Sequence, residues 1–511
     1  MSTAPLETEL RFTLSRPAAE ALSRRLAAGR IADPGAGPAV SGPAAERHEV
    51  TTYFDTDDFA LDRAGLSLRV RCLDGRHVQT MKRTGIAAGA PHSRPEWEWP
   101  LAVSAPDLMA PDLFLAERDG VPLPPGVSAA AFHSVFVTDI RRRIVTLHPD
   151  DQTDIEAAFG MGAIRAGRRV ETVDELELEL KRGSAEFLYR TALDLLAAAP
   201  MALEPDSKAA RGYRLAAAAP PAASKAVHTA IDRSMPGTAS LRVLVNICVG
   251  HLLANVPAAR AGDAEGVHQM RIAARSLRAL LRLFRPLLKR RRIEPLDGDL
   301  RQLGRCLGEA RDWDVFLDQT LAKANTDWAV ALRTSGEERR KAAHEAVRDM
   351  LAEPRFTRLV LTLGAWTEDM PLKRRMARPV GSLAPDLLGR LDRIVRKRGR
   401  GLRHADPPHR HALRKSLKKF RYGTEFLAGA LHRDPARLIR KTKKVLDTLG
   451  DMNDGTVAVR LAASCGMDSA RDRLSQWAER QARRQGHGLP RRWRRFKNAD
   501  WLKKCTGQRD G

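Results

Sequence analysis

In the stretch DELELELK, Asp174 to Lys181, Glu175, Glu177 and Glu179 alternate with Leu176, Leu178 and Leu180. A β-strand turns successive side chains to opposite faces, so this stretch has one carboxylate face and one leucine face. A single strand of that kind ordinarily leaves its carboxylates in water. Other stretches repeat the arrangement with both signs of charge. Glu7, Glu9 and Arg11 share a face, as do Arg69 and Arg71, Arg94 with Glu96 and Glu98, and Arg141 with Arg143. Most of the opposite faces are apolar, as with Leu68 and Val70 or Trp97 and Trp99. Such strands read as the inside of a barrel whose apolar faces turn outward. Unpaired buried charge is prohibitively costly, so this interior must be wet and hold something charged. Guanidinium and ammonium groups suit phosphate oxygens. Carboxylates would repel a phosphate chain unless a hard divalent cation, usually Mg2+, lay between them. The chemistry implied is the holding of a phosphate-bearing ligand, with the cation between it and the carboxylates.

The elements that must position these residues are strands. Segments with turn signals between them recur over residues 7–183: ETELRFTL, HEVTTYFDT, LSLRVRCL, RHVQTMKRT, RPEWEWPL, SVFVTDIRRRIVTL, TDIEAAF and the DELELELK stretch. They predict an α+β domain, an eight-stranded antiparallel tunnel barrel wide enough inside for one small ligand. Helices predicted over 17–28 and 186–199 would cover its apolar outside. An alanine–proline linker at 217–227 separates residues 1–216 from a helical half at 228–505. Residues 1–216 hold 26 Lys and Arg against 31 Asp and Glu, a net of −5, which leaves 61 against 31, a net of +30, for the rest. Charge so unevenly spread marks two modules, the first expected to act unaided and the second expected to seek a polyanion. No apolar run looks long enough to cross a bilayer, and MSTAPLETELRF has no signal-peptide pattern. Five scattered cysteines without CxxC spacing point to a reducing cytoplasm and away from zinc. His48, His77 and His92 lie in no ligand spacing, and no nucleophile–histidine set is evident.

ETELR, YFDT, LSLRVR, QTMKR, RPEWEWPL, TDIRRR, ELELELK and SKAARGYRL, taken in order over residues 5–216, resemble the CYTH domains, the triphosphate tunnel metalloenzymes. The resemblance implies hydrolysis of triphosphates with Mg2+ or Mn2+. It implies metal ligation by Glu7, Glu9, Glu177 and Glu179 and catalytic roles for Glu7, Glu9, Arg69, Arg71 and Lys82. Phosphate grip would fall to Arg11, Arg94, Arg141, Arg143 and Lys208. Arg11 stands where the family signature has lysine, and Gly160, shortly after Glu156, stands where relatives carry an acid.

The helical half contains one template twice. HQMRIAARSLR carries His268, Arg271, Arg275 and Arg278, and HALRKSLKKFR carries His411, Arg414, Lys418 and Arg421, 143 residues on. LGRCLGEARDWD and VLDTLGDMNDGT follow at nearly the same offset, with Gly308 matched by Gly450. Equal offsets indicate an internal duplication. On a helix, positions 0, 3, 7 and 10 fall in an arc of about 80°, so each helix presents a basic face and packs by the other. Asp312 and Asp314 read as ion-pair partners or caps. VHQMRIAARSLRALLRLFRPLL and LGEARDWDVFL resemble the CHAD domain, over residues 225–505. That resemblance implies two four-helix halves and binding of inorganic polyphosphate by His268, Arg271, Arg275, Arg278, His411, Arg414, Lys418 and Arg421. The basic tail RRWRRFKNADWLKKC would extend this surface or cap the bundle.

The expected function is therefore hydrolysis of inorganic triphosphate to pyrophosphate and phosphate, with polyphosphate as a second partner. The alternatives are thiamine or nucleoside triphosphate as substrate, ATP cyclisation, or a non-catalytic polyphosphate-granule protein. The expected location is the cytoplasm, with polyphosphate granules as the place of association. Nucleic acid is disfavoured, because aromatics at 5% supply few stacking platforms. No membrane partner is expected.

Overall fold

The computed structural model describes residues 8–28, 39–73, 75–83, 96–108, 131–226, 231–322, 327–370, 373–402, 405–466, 468–497 and 501–506. The chain divides into two compact units. The first holds Met1–Ala222 together with Val256–Ala261 and Leu351–Asp369; the second holds the remainder. Residues 1–216 are thus not a complete compact unit by themselves.

The first unit is built on an antiparallel sheet of strands β1 (Thr8–Thr13), β2 (Ala39–Asp55), β3 (Leu66–Leu73), β4 (Arg76–Arg83), β5 (Glu96–Leu101), β6 (His133–Asp150), β7 (Thr153–Ala166), β8 (Arg169–Arg182) and β9 (Ala202–Leu203), in the order β5-β4-β3-β2-β6-β7-β8-β1-β9. The first eight are the strands expected from the alternation. The two-residue β9, pairing with Phe12 and Thr13, is an addition too short to carry a pattern. Hydrogen bonds between the β5 and β9 edges are not found among the described residues.

On β8 both faces are inside. Leu176 and Leu178 are fully buried, and helices Arg16–Ala27 and Ala185–Ala198 pack against this strand. Ser184 starts the second of these, its hydroxyl accepting from Glu186 N. A third helix, Lys208–Ala217, begins at Ser207, whose hydroxyl accepts from Ala210 N, and packs on β6, β7 and β8. Its Ala209 and Tyr213 join Tyr53, Phe136, Ile140, Ile164 and Val173 in one buried cluster. Tyr53 stacks on Phe136 at 4.3 Å, and Phe136 meets Tyr213 edge to face at 5.1 Å. Only glycine fits at 212, because a Cβ there would lie 2.1 Å from the Phe136 ring.

The second unit is helical. Asp263 and Asp406 cap helices Ala264–Phe284 and Pro407–Phe426, five residues before His268 and His411 respectively. The internal offset therefore extends to the caps. Leu277, Leu280, Leu283 and Phe284 are buried on the first helix, and Leu413, Leu417 and Phe420 on the second. The tail packs on the bundle: Trp493 and Phe496 of helix Leu489–Lys497 are buried, with Arg491, Arg492, Arg494 and Arg495 exposed, and the Trp493 ring occupies the space that a Cβ at Gly399 would need. One expectation is overturned. The helical stretch Gly237–Arg260 is long and apolar enough to cross a membrane by length and composition. Of its apolar window, 61% is buried inside the protein, so the hydropathy reflects a helix enclosed by other helices.

Candidate functional sites

Strand register places the charged residues of the sheet. Glu9 lies opposite Glu179, Arg11 opposite Glu177 and Thr13 opposite Glu175. Glu179 in turn lies opposite Glu156 on β7. Paired residues share a face, so Glu9, Arg11, Glu156, Glu175, Glu177 and Glu179 form one ionic surface. The same reading along β6, β2, β3 and β4 adds Arg142, Glu49, Arg71, Arg69 and Lys82. Glu7 and Arg94 lie outside the described residues.

The contacts tie this surface together. Arg142 Nη2 lies 2.8 Å from Glu177 and its Nε 3.2 Å from Glu49. Lys208 Nζ donates to Glu175 at 2.6 Å and to Glu177 at 2.7 Å. Arg211, one turn on, pairs with Glu171 at 2.6 Å and with Glu175. Arg11 pairs with Glu9 and donates to the Pro205 carbonyl at 3.2 Å. Lys181 holds Glu179 at 2.6 Å.

Electrostatics follow from this crowding. Burial would lift the Glu177 carboxyl, but Arg142, Lys208 and Arg11 outweigh it and hold the group well below the usual carboxylate range. Burial alone would lower the Arg11 guanidinium, and Glu9, Glu177 and Glu175 reverse the sign. Glu177 raises Arg142 against the opposing effect of burial. Arg71 is the exception, lowered first by its neighbour Arg69 and then by burial, with Glu49 opposing. The buried Nε atom of Arg11 makes no hydrogen bond among the described residues, while the Nε atoms of Arg142 and Arg71 lie 3.2 and 4.0 Å from the Glu49 carboxylate.

The expectation for Arg141 and Arg143 needs correction. Those two do share a face, but it is the one opposite the ionic surface. Arg141 is exposed and Arg143 pairs with Glu46, which is 71% exposed. Arg142 is the inward residue, set opposite Gly160 and so on the side of Glu175. The error arose because β6 changes its buried side along its length. Phe136, Thr138 and Ile140 are buried at one end, Val145 and Leu147 at the other, and a run of three arginines between them has no parity of its own. Glu49, Glu171 and Arg211 were also missed. Their ion pairs join distant segments, and nothing local marks them.

Metal-type residues in groups of three or more are not found together among the described residues. The donors that register brings closest, Glu9, Glu179 and Glu156, are all carboxylates, the donor type that a hard divalent cation takes.

In the helical unit, helices Ala264–Phe284 and Pro407–Phe426 pack on each other. His268, Arg275 and Arg421 line a cavity of about 760 Å³, together with His251, Gln269 and Tyr422. Arg271 lies 3.5 Å from Asp312, and burial, then Arg275, Arg311 and Arg414, lower its basicity against the opposing effect of Asp312. A Cβ at Gly308 would fall 2.3 Å from Arg271 Nη1, and Gly450 similarly borders Arg414 at 3.6 Å. Gly308 leaves room for Arg271, whereas a Cβ at Gly450 would make only ordinary contact with Arg414. Arg278 is held by Asp297 at 3.1 Å, and Lys418 is half-buried. His411 is exposed and lines a different groove, beside Leu449, Met452 and Arg460. Asp312 pairs with Arg271 and Arg460 and so is an ion-pair partner as expected, and Asp314 shares a hydrogen bond with the buried His344 at 2.9 Å. Burial, then Arg311, Arg275 and Arg271, push His268 below the ordinary histidine value, with Glu265 opposing.

Two family models match this chain. The CYTH domain model matches residues 6–213, and the CHAD domain model matches residues 244–463. An inorganic triphosphatase of Haemophilus influenzae is 31% identical over 164 residues, which cover 32% of this chain and 45% of that protein. The match thus spans less than half of that relative. The crystal structure of the CHAD domain from the plant Ricinus communis is similar at 27% identity, covering 57% of this chain and 98% of that one, with a TM-score of 0.45. PptA from Streptomyces chartreusis is similar at 16% identity, covering 51% of this chain and all of that one, with a TM-score of 0.40.

Proposed function

Because this chain joins a CYTH domain to a CHAD domain, we propose that its sheet unit hydrolyses inorganic triphosphate to pyrophosphate and phosphate. The helical unit then binds inorganic polyphosphate. One observation carries the first part: Arg11, Arg69, Arg71, Lys82, Arg142 and Lys208 share a face with Glu9, Glu156, Glu175, Glu177 and Glu179. Cations alone would suit any anion. Interleaved with carboxylates, they suit a phosphate chain that arrives with a divalent cation.

Glu9 and Glu179, with Glu7 two residues before Glu9, would hold such a cation, which supplies neutralisation of the phosphate oxygens when bound. The arginines do the rest of the charge stabilisation. The buried Nε atom of Arg11, which has no hydrogen-bond acceptor among the described residues, is a donor available to phosphate oxygens. In the reaction a water oxygen attacks the terminal phosphorus, the bridging P–O bond breaks, and its electron pair leaves with pyrophosphate. Charge grows on that leaving oxygen, where fixed guanidinium groups help most because they need no reorganisation. Glu177 is a poor proton acceptor, since Arg142 and Lys208 stabilise its ionised form. Its work is to hold those two cations in place.

The second part rests on the cavity lined by His268, Arg275 and Arg421, where both basic helices contribute. A panel of inorganic, thiamine and nucleoside triphosphates, assayed for phosphate release with and without Mg2+, tests the reading. Fastest Mg2+-dependent turnover is expected on the inorganic substrate, and a preference for either organic triphosphate would overturn the substrate assignment.

A further inference from the structure

The sheet unit includes two segments from the helical half of the sequence, Val256–Ala261 and Leu351–Asp369. Both reach the short strand β9. The Leu203 amide donates to Thr357 Oγ1 at 3.1 Å, and Thr357 is fully buried. The Leu203 carbonyl accepts from Arg260 Nη2 at 3.1 Å, and the same nitrogen donates to the Leu351 carbonyl at 3.3 Å. Arg260 Nη1 lies 3.9 Å from Glu204. Nearby, Tyr189 packs so closely on helix Pro354–Glu368 that only glycine fits at 364, where a Cβ would lie 2.2 Å from its ring.

The residues that follow Leu203 reach the ionic surface. The Glu204 amide donates to the Arg11 carbonyl at 2.8 Å, and the Pro205 carbonyl accepts from Arg11 Nη2 at 3.2 Å. Ser207 then caps the helix that carries Lys208. We infer that Arg260 and Thr357 are positioning residues for the sheet's ionic site, fixing residues 202–205 so that Arg11 and Lys208 keep their places. This rests on reading Arg11 and Lys208 as phosphate-gripping groups. It makes the site dependent on residues far beyond the linker, so a fragment ending at 216 would lack its support.

Thr357→Ala leaves the Leu203 amide buried without an acceptor, whereas Thr357→Ser keeps the hydroxyl. Arg260→Lys keeps the charge but loses the fork that sets one nitrogen on the two carbonyls and the other beside Glu204. In the full chain, hydrogen exchange of peptides spanning 201–206 is compared with steady-state hydrolysis of tripolyphosphate. Thr357→Ala and Arg260→Lys should each speed exchange there about tenfold or more while other β-strand peptides stay protected. The KM should rise about tenfold with kcat within about twofold, and Thr357→Ser should restore both. Unchanged exchange at 201–206, or loss of protection spread evenly over the sheet, would overturn the inference. If the wild-type chain released phosphate from no triphosphate, the functional reading would fail while the exchange comparison still decided the link to β9.

Discussion

Replacing Arg142 and Arg143 separately by methionine tests which of these neighbours faces the site. Arg142 is 20% exposed, and its partners Glu49 and Glu177 are 9% and 15% exposed. Removing one member of a buried pair costs roughly 3–5 kcal/mol, because the other charge is left uncompensated. Lys208 remains 2.7 Å from Glu177 and Arg71 remains 4.0 Å from Glu49, so the lower end, about 3 kcal/mol, applies. Arg143 pairs with an exposed partner, for which about 0–1 kcal/mol is expected. Opening free energies of β6–β8 peptides by hydrogen exchange would read this difference. Activity should separate the two further. Loss of a charge-assisted contact of about 2 kcal/mol lowers kcat/KM for tripolyphosphate about 30-fold in Arg142→Met. Arg143→Met should stay within about threefold of wild type. Equal losses, or a larger loss for Arg143→Met, would refute the face assignment.

Glu177 lies below the usual carboxylate range when folded, so its stabilising contribution is complete above the ordinary value of 4.5 and fades as pH falls beneath it. Glu177→Gln should therefore destabilise at neutral pH and progressively less in acid, measured by urea unfolding across pH. Gly308→Ala should keep the fold, since only the far end of Arg271 must move, yet weaken polyphosphate binding; Gly450→Ala, with Arg414 at ordinary contact, should change affinity little. Calorimetric titration checks both. His268 is held below 6.5 by burial and three arginines. A bound polyanion offsets those arginines and raises the value, so affinity should grow as pH falls from about 7.5 to about 5.5. His268→Gln should flatten that slope.

The alternation in β8, β1, β3 and β4 made one face of the sheet legible, because period two fixes which residues share a side. What period two does not say is which side is covered at a given height. In β6 the cover switches: the aromatic cluster and helix Lys208–Ala217 bury Phe136 and Ile140, and the opposite face is buried at Val145 and Leu147. That switch hid Arg142. Glu49 and Arg211 were illegible for another reason, since their partners are set by folding at a distance. Helix Pro354–Glu368 was legible as a helix, but nothing in its residues assigns it to the sheet unit; that follows from Thr357 and Gly364 meeting Leu203 and Tyr189. The duplication, read from the near-equal offsets of His, Arg and Gly, extends to the Asp263 and Asp406 caps.

The central claim is that carboxylates and arginines on one face of the sheet act together on a triphosphate. The most direct measurement compares phosphate release from tripolyphosphate by the full chain and by Glu9→Gln, each across a Mg2+ titration. The account predicts metal-dependent turnover in the wild type and none in Glu9→Gln at any Mg2+ concentration, with the sheet still folded. Near-normal turnover by Glu9→Gln at saturating Mg2+, or equal wild-type turnover after chelation, would contradict it.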